Sequence, residues 1–298
     1  MKELLKKISE SKALALAQMT GVSVVRVEKL LRVDIDESAT PYEKSTDKDY
    51  SLFEQVHFSD EYTKLYRATL YDYGVEIDGE LMRNVAAYSS RELEYRIDSI
   101  SRDEACVQLR GSANTNAAFL ASATPVAMFD IVGLSNDAAD KLTFLSELVL
   151  EGYVLEETGN LKTSFFTYFS AIETLTSEFI EIFKKSIPKE LHHATEHLAL
   201  DEKLRIVARI NVKELEKIAL WGGLMESFKK VKDIRNDIAH GTRQTKVTQE
   251  DVDQCFICLA TIYALLKKKC ERFKDVRDHL YPKAMRQRLP KDFDTGTR

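Results

Sequence analysis

The chain is expected to be α+β, with a mixed helix-and-strand N-terminal part followed by an all-helical bundle. Three observations carry this. Glycine (11) and proline (5) are scarce among 298 residues, which disfavours a turn-rich all-β fold. Apolar and polar residues alternate in several short runs between positions 35 and 136, the period of half-buried strands. From about residue 137 the apolar spacing changes to three and four, the period of amphipathic helices. Hydrophobic residues at 44% and charged residues at 31% suit a folded globular chain and exclude a disordered one.

The expected division is residues 1–136 and 137–298. Residues 1–34 read as helical. Within them, Leu14 to Leu31 resembles a helix-turn-helix, with Ala17 facing the second helix, Gly21 at the turn, and Val27 and Leu30 packing inward. The second helix would offer only Ser23, Arg26, Glu28 and Lys29 to DNA, a poor set for reading bases. An ordinary pair of antiparallel helices fits the pattern too. Tyr66 to Ile77, Leu93 to Ile97, Ala105 to Leu109 and Pro125 to Val132 are strand-like, and the polar stretches 36–51 and 110–117 read as loops.

In the second part, Leu142, Leu145, Leu148, Val149 and Tyr153 share a face, and Thr158-Gly159-Asn160 stops that helix. A helix over about 162–185 turns Phe165, Phe169, Ile172, Leu175, Phe179, Ile182 and Phe183 inward, and Pro188 follows. Shorter helices are expected over 190–198 and 201–219, and longer ones over 222–240 and 248–273. The last is opened by Thr248 as N-cap, with Glu250 and Asp251 in its first turn.

Charge is uneven along the chain. Ten Lys and Arg against three acids give residues 267–291 a charge of +7, so the rest of a chain that is −5 overall carries −12. A basic segment of this kind gathers phosphates; a solvated helix end with a frayed tail gives the same composition. The longest apolar run, Phe256 to Leu266, is too short to cross a membrane, and the charged start of the chain is unlike a signal peptide. Four cysteines do not make a disulfide framework at this length, so the expected compartment is the reducing cytoplasm. Cys255 and Cys258 have CxxC spacing, but they lie inside a helical apolar pattern and lack a second ligand pair; packing accounts for them better than zinc. No metal or cofactor is expected.

One stretch carries chemistry. On the helix over 222–240, Leu224, Phe228, Val231, Ile234 and Ile238 form an apolar stripe. Asn236 and His240 are four apart on the polar face, within side-chain reach. Arg235 lies at the stripe's edge, about 140° round from His240. Gly241 suits the C-cap, which puts His240 in the last turn, where the helix dipole favours its protonated form. A guanidinium suits phosphate and an imidazole moves protons near neutral pH. Arg and His of one helix do not converge on a small target, whereas a symmetric dimer would bring two of each together. A surface Arg, a capping Asn and a C-terminal His that merely stabilise the bundle account for the same residues.

The stretch Ile234-Arg235-Asn236-Asp237-Ile238-Ala239-His240-Gly241 resembles the signature of the HEPN superfamily, and Tyr168 to Leu175 looks like the Phe/Tyr-x-x-Ala-Ile-Glu-x-Leu helix of its Apea-like branch. The resemblance covers roughly residues 137–275. It implies an all-α, dimeric domain and a metal-independent endoribonuclease, of the kind found in toxin–antitoxin systems, abortive infection and RNA-targeting CRISPR effectors. Arg235 would grip the scissile phosphate, His240 would transfer a proton at the 2′-hydroxyl or leaving oxygen, and Asn236 would orient His240 or the phosphate. Glu173 and Asp237 would support them. Lys232, Arg243, Lys267 and Arg272 would contact RNA, tRNA included, and an antitoxin or trigger protein is an expected partner. Some members of the superfamily are non-catalytic interaction or nucleotide-binding modules. A DNA-binding regulator working through residues 14–31 is the further alternative.

Overall fold

A computed structural model describes residues 12–31, 48–77, 80–83, 92–115, 124–212, 214–240 and 246–280. It contains both helices and antiparallel sheets, and the chain separates into two compact units. One unit holds the first helix together with the chain from Lys141 onward; the other is Val22–Asp140.

The helical unit begins with α1 (Lys12–Thr20) and continues after the β unit with α3 (Phe144–Glu157), α4 (Leu161–Lys184), α5 (His192–Glu196), α6 (Leu200–Asn211), α7 (Ala219–Ala239), α8 (Gln249–Lys268) and α9 (Phe273–Leu280). The short α2 (Asn136–Ala139) lies at the end of the β unit. α8 is the centre: Val252, Phe256, Leu259, Ile262 and Leu265 are each fully buried. Its start is set by Thr248, whose hydroxyl accepts from the Asp251 amide while Asp251 accepts from the Thr248 amide, a reciprocal cap that satisfies two orphan donors. Just past the end of α3, Gly159 takes a φ of +77°, which suits glycine.

α3 and α4 approach closely at Gly152. A Cβ there would lie 2.6 Å from the Tyr168 ring, and Ser164 Oγ donates to the Gly152 carbonyl at 2.7 Å. Tyr168 in turn packs against Phe256 of α8, with ring centroids 5.2 Å apart. Beneath this contact lies a buried polar cluster. Lys12 Nζ donates to Glu156 Oε1 at 2.5 Å and to Asp253 Oδ1 at 2.8 Å. Gln249 donates to the same two carboxylates at 2.5 and 3.0 Å, and the Tyr168 hydroxyl donates to Glu156 Oε2 at 3.1 Å. Burial, and then the Glu156 carboxylate, push the Tyr168 phenol well above its ordinary range, so it stays a donor.

The β unit has a four-stranded antiparallel sheet in the order β1 (Ser23–Leu30), β7 (Thr124–Ser135), β3 (Tyr62–Ile77), β4 (Glu80–Arg83), and a three-stranded one in the order β2 (Lys48–His57), β6 (Cys106–Thr115), β5 (Glu92–Ser101). Their shared core includes Phe129 and Ile131 of β7, Leu65 and Ala68 of β3, Val107 and Leu109 of β6, Leu52 and Val56 of β2, and Phe58. Phe58 meets Phe129 edge-on at 5.5 Å.

Three expectations are corrected. Residues 1–34 are not one helical segment, and Leu14 to Leu31 is not a helix-turn-helix. α1 ends at Thr20, Gly21 takes φ +80°, and β1 follows in register with β7. Local preference contributes, since Val22, Val24, Val25 and Val27 are β-branched, stiff in helices and suited to a pleated surface. Val27 does pack inward, on the sheet core, but Leu30 is 62% exposed. The division at 136/137 also changes, because α1 belongs to the helical unit and the β unit runs to Asp140. Lastly, 48–51 and 110–115 are strand rather than loop. Residues 1–11, 32–47 and 281–298 lie outside the described residues, and with them Lys283, Arg286, Arg288 and Lys291 of the basic segment.

Lys12 and Glu156 have side chains only 10% and 4% exposed, so removing one strands the other in a poor solvent. Lys12→Ala is expected to lower unfolding free energy by about 3 kcal/mol, and Lys12→Met with Glu156→Gln to recover most of it. Urea denaturation followed by circular dichroism checks this; equal loss in both variants would show that the charge pair is not the cause.

Candidate functional site

The site forms where side chains of α7 and α4 meet. The α7 stripe is as expected at Leu224, Phe228 and Val231, all buried, while Ile234 and Ile238 are half-buried. Phe228 stacks on Phe169 of α4, with centroids 6.4 Å apart and planes at 12°. Arg235 is seven residues on from Phe228, two turns along the same face. Its guanidinium lies over the same Phe169 ring, 5.6 Å from the centroid. Glu173, one turn after Phe169, places Oε1 at 4.0 Å from Arg235 Nη2. Arg235 Nη1 also donates to Asn236 Oδ1 at 3.4 Å. The two helices thus bring Arg235, Asn236, Glu173 and Phe169 together.

All three contacts of the guanidinium are loose, and its side chain is 37% exposed. A pair at this distance and exposure is worth under about 1 kcal/mol. Five N–H donors remain only partly used, so the group keeps capacity for an anion.

His240 is the C-cap residue of α7, is exposed, and donates its backbone N–H to the Asn236 carbonyl at 2.9 Å. The expected side-chain pairing of Asn236 with His240 is not what the structure places: the Asn236 amide oxygen faces Arg235. Asp237 is exposed on the next turn position. Gly241 and Arg243 lie outside the described residues.

The other expected RNA contacts are already engaged. Lys232 donates to Asp201 of α6 at 2.5 Å. Lys267 donates to Glu178 of α4 at 2.8 Å and lies 5.4 Å from the Phe179 ring centroid. Arg272 grips Asp275 with Nε and Nη2 at 2.9 and 2.8 Å, a fork closed on one carboxylate. Cys255 and Cys258 are buried in α8, burial pushes both thiols up, and Cys255 Sγ faces the Phe165 carbonyl at 3.7 Å. They have the character of packed residues rather than ligands. Among the described residues no group of three or more His, Cys, Asp and Glu is placed to hold a metal, and no helix is long and apolar enough to cross a membrane.

Two features stand outside the expected site. The buried Lys12 carries no sequence signal of its own, since a lysine at position 12 of a charged N-terminus reads as solvated. His193 and His197 are signalled by their four-residue spacing, which puts them on one helix face.

None of the known protein families, curated proteins or solved structures compared with this chain matches it.

The bond from Lys232 holds the Asp201 carboxyl below the usual carboxylate range. A depressed acid stabilises the fold above its unfolded pKa of about 3.9 and loses that contribution as pH falls through the folded value. Asp201→Asn is therefore expected to destabilise slightly at pH 7, by less than about 1 kcal/mol, with the gap narrowing as pH falls below about 3.9. Urea midpoints of both proteins at pH 7 and through the acid range measure it.

Proposed function

We propose that the helical unit is a metal-independent endoribonuclease of the HEPN kind, working as a homodimer on RNA in defence or growth arrest. The observation that carries the reading is the contrast among cations. Lys232, Lys267 and Arg272 are closed on carboxylates at 2.5 to 2.9 Å, whereas Arg235 has contacts of only 3.4 and 4.0 Å and lies half-exposed over an aromatic ring. A guanidinium held in direction but not consumed suits a phosphate whose charge grows in the transition state.

In this reading the 2′-hydroxyl attacks the adjacent phosphorus and the 5′-oxygen leaves. The products are a 2′,3′-cyclic phosphate and a 5′-hydroxyl. Arg235 stabilises the extra negative charge on the non-bridging oxygens. His240 takes the proton from the 2′-hydroxyl or gives one to the leaving oxygen. Glu173 limits the swing of Arg235, and Asn236 holds it from the other side. The offset of about 140° between Arg235 and His240 on α7 is met by a second copy, whose motif faces the first across a two-fold axis.

The alternative, a non-catalytic interaction module, draws on the same paired cations, which would have to exchange partners before touching RNA. One experiment separates the two. Purified parent, Arg235→Ala and His240→Ala are incubated with total RNA, with and without EDTA, and fragment ends are mapped. Parent cleavage unaffected by EDTA, and at least about a hundredfold loss in each variant with unchanged circular dichroism, is the expected result. Variants that cut as fast as the parent remove Arg235 and His240 from the reaction. A dimeric parent that cuts nothing favours the interaction module.

A further inference from the structure

The segment between α4 and α6 carries a second constellation, independent of the Arg235 site. His193 lies on the short helix α5 and His197 directly follows it. Their Nε2 atoms are 3.1 Å apart, and the rings meet edge-on with centroids 4.4 Å apart. Both side chains are exposed, His193 by 80%. Two imidazoles with facing Nε2 atoms must share a proton or something that replaces it. If both are protonated they repel; if both lack the Nε2 proton, two lone pairs converge on one point.

The surroundings favour a bare Nε2 on His193. Glu196 Oε2 is 3.9 Å from His193 Nδ1. The Lys184 ammonium lies 3.0 Å from Glu196 and holds that carboxylate in place. An anion on the Nδ1 side favours the tautomer with its proton on Nδ1, which leaves Nε2 as the free donor atom. Metal-bound histidines commonly have a carboxylate on the far ring nitrogen in this way. Lys184 is fixed in turn by Glu181 at 2.7 Å.

We propose that His193 and His197 chelate one divalent transition-metal ion, of the zinc, nickel and copper class, through their Nε2 atoms. Zinc–imidazole bonds of about 2.0–2.1 Å at a tetrahedral angle set the two nitrogens about 3.3–3.4 Å apart. The observed 3.1 Å needs an adjustment of a few tenths of an ångström. Imidazole nitrogen selects this class over calcium and magnesium, which take oxygen. Since no group of three ligands converges among the described residues, the ion keeps open positions for water or a further donor. It binds less tightly than a closed four-ligand site.

The test is calorimetric titration of the full chain with zinc chloride at pH 7.5, with copper(II) electron paramagnetic resonance as the structural readout. The parent is expected to bind one equivalent, with copper showing coupling to two nitrogens. His193→Ala and His197→Ala should each weaken zinc binding about tenfold or more with unchanged circular dichroism, and His57→Ala should behave as the parent. A parent that takes up no zinc, or variants at 193 and 197 that bind as tightly as the parent, overturns the proposal. Either outcome leaves the Arg235 and His240 reading untouched, because that reading needs no metal.

Discussion

A single buried carboxylate, Glu156, organises the helical unit. Three donors reach it from three helices: Lys12 of α1, Tyr168 of α4 and Gln249 of α8. A charge this deep is costly unless every lone pair is met, and the surrounding helices are constrained to meet it. Hydrophobic burial alone would not do the same work. Along α1, residues Ala13 to Ala17 are all buried, so its apolar surface is nearly continuous and gives little preference for one register over the next. The Lys12 ammonium, bonded to both Glu156 and Asp253, supplies that preference. Buried ion pairs add little net stability over apolar substitutes, but they discriminate strongly against arrangements that leave a charge unpaired.

The same constraint reaches the candidate site through two adjacent residues. Tyr168 faces Glu156 and Phe256, while Phe169 meets Phe228 and Arg235 of α7. Fixing Tyr168 therefore fixes the rotation of α4 about its own axis, and with it where Phe169 and Glu173 point. Close approach at Gly152, where no side chain fits, removes the remaining slack. Arg235 then has an aromatic floor and an acidic neighbour that set its direction, without short bonds that would consume its donors. A catalytic or binding arginine needs that combination: a pre-aimed side chain whose hydrogen bonds are still available.

Much of the helical part was legible because its signals are local. The spacing of Phe165, Phe169, Ile172 and Leu175 marks α4, and all four are buried; Thr248 and Asp251 mark the start of α8. The period weakens at the end of α4, where Ile182 is 59% exposed, because the pattern reports a possible apolar face and not what covers it. The strands around Tyr66 to Ile77 and Pro125 to Val132 were legible through alternation and β-branching. The failures at the N-terminal end share one cause. Residues 14–31 hold a helix followed by a strand, and no single period describes both. The valines favour β1, but its partner β7 is about a hundred positions away, so the pairing that decides the matter is invisible locally. The Lys12–Glu156 bond, 144 residues apart, is hidden for the same reason. At the candidate site, Arg235 and Glu173 were legible as types and positions, whereas the Phe169 ring beneath Arg235 and the turn of Asn236 towards it depend on how two helices meet.

The two units solve one problem in the same way. Each takes its earliest described element from the far end of a long sequence separation: α1 joins helices beyond residue 141, and β1 joins β7. Each fastens that element with a cation on a buried carboxylate. In the β unit, Arg26 Nε and Nη2 donate to Asp130 at 2.6 and 2.8 Å, with the Tyr71 ring 3.0 Å from the guanidinium carbon. Closing so long a loop costs entropy before any contact forms. A directional, charge-assisted bond is worth more per contact than apolar area and is satisfied in one register only. The apolar residues beside these pairs, Leu14 and Leu16 in α1 and Val25 and Val27 in β1, select which face turns inward, and the polar pair selects the register within that face. The placement of α1 and of β1 is therefore sensitive to loss of a single charge, although neither carries a residue of the candidate site.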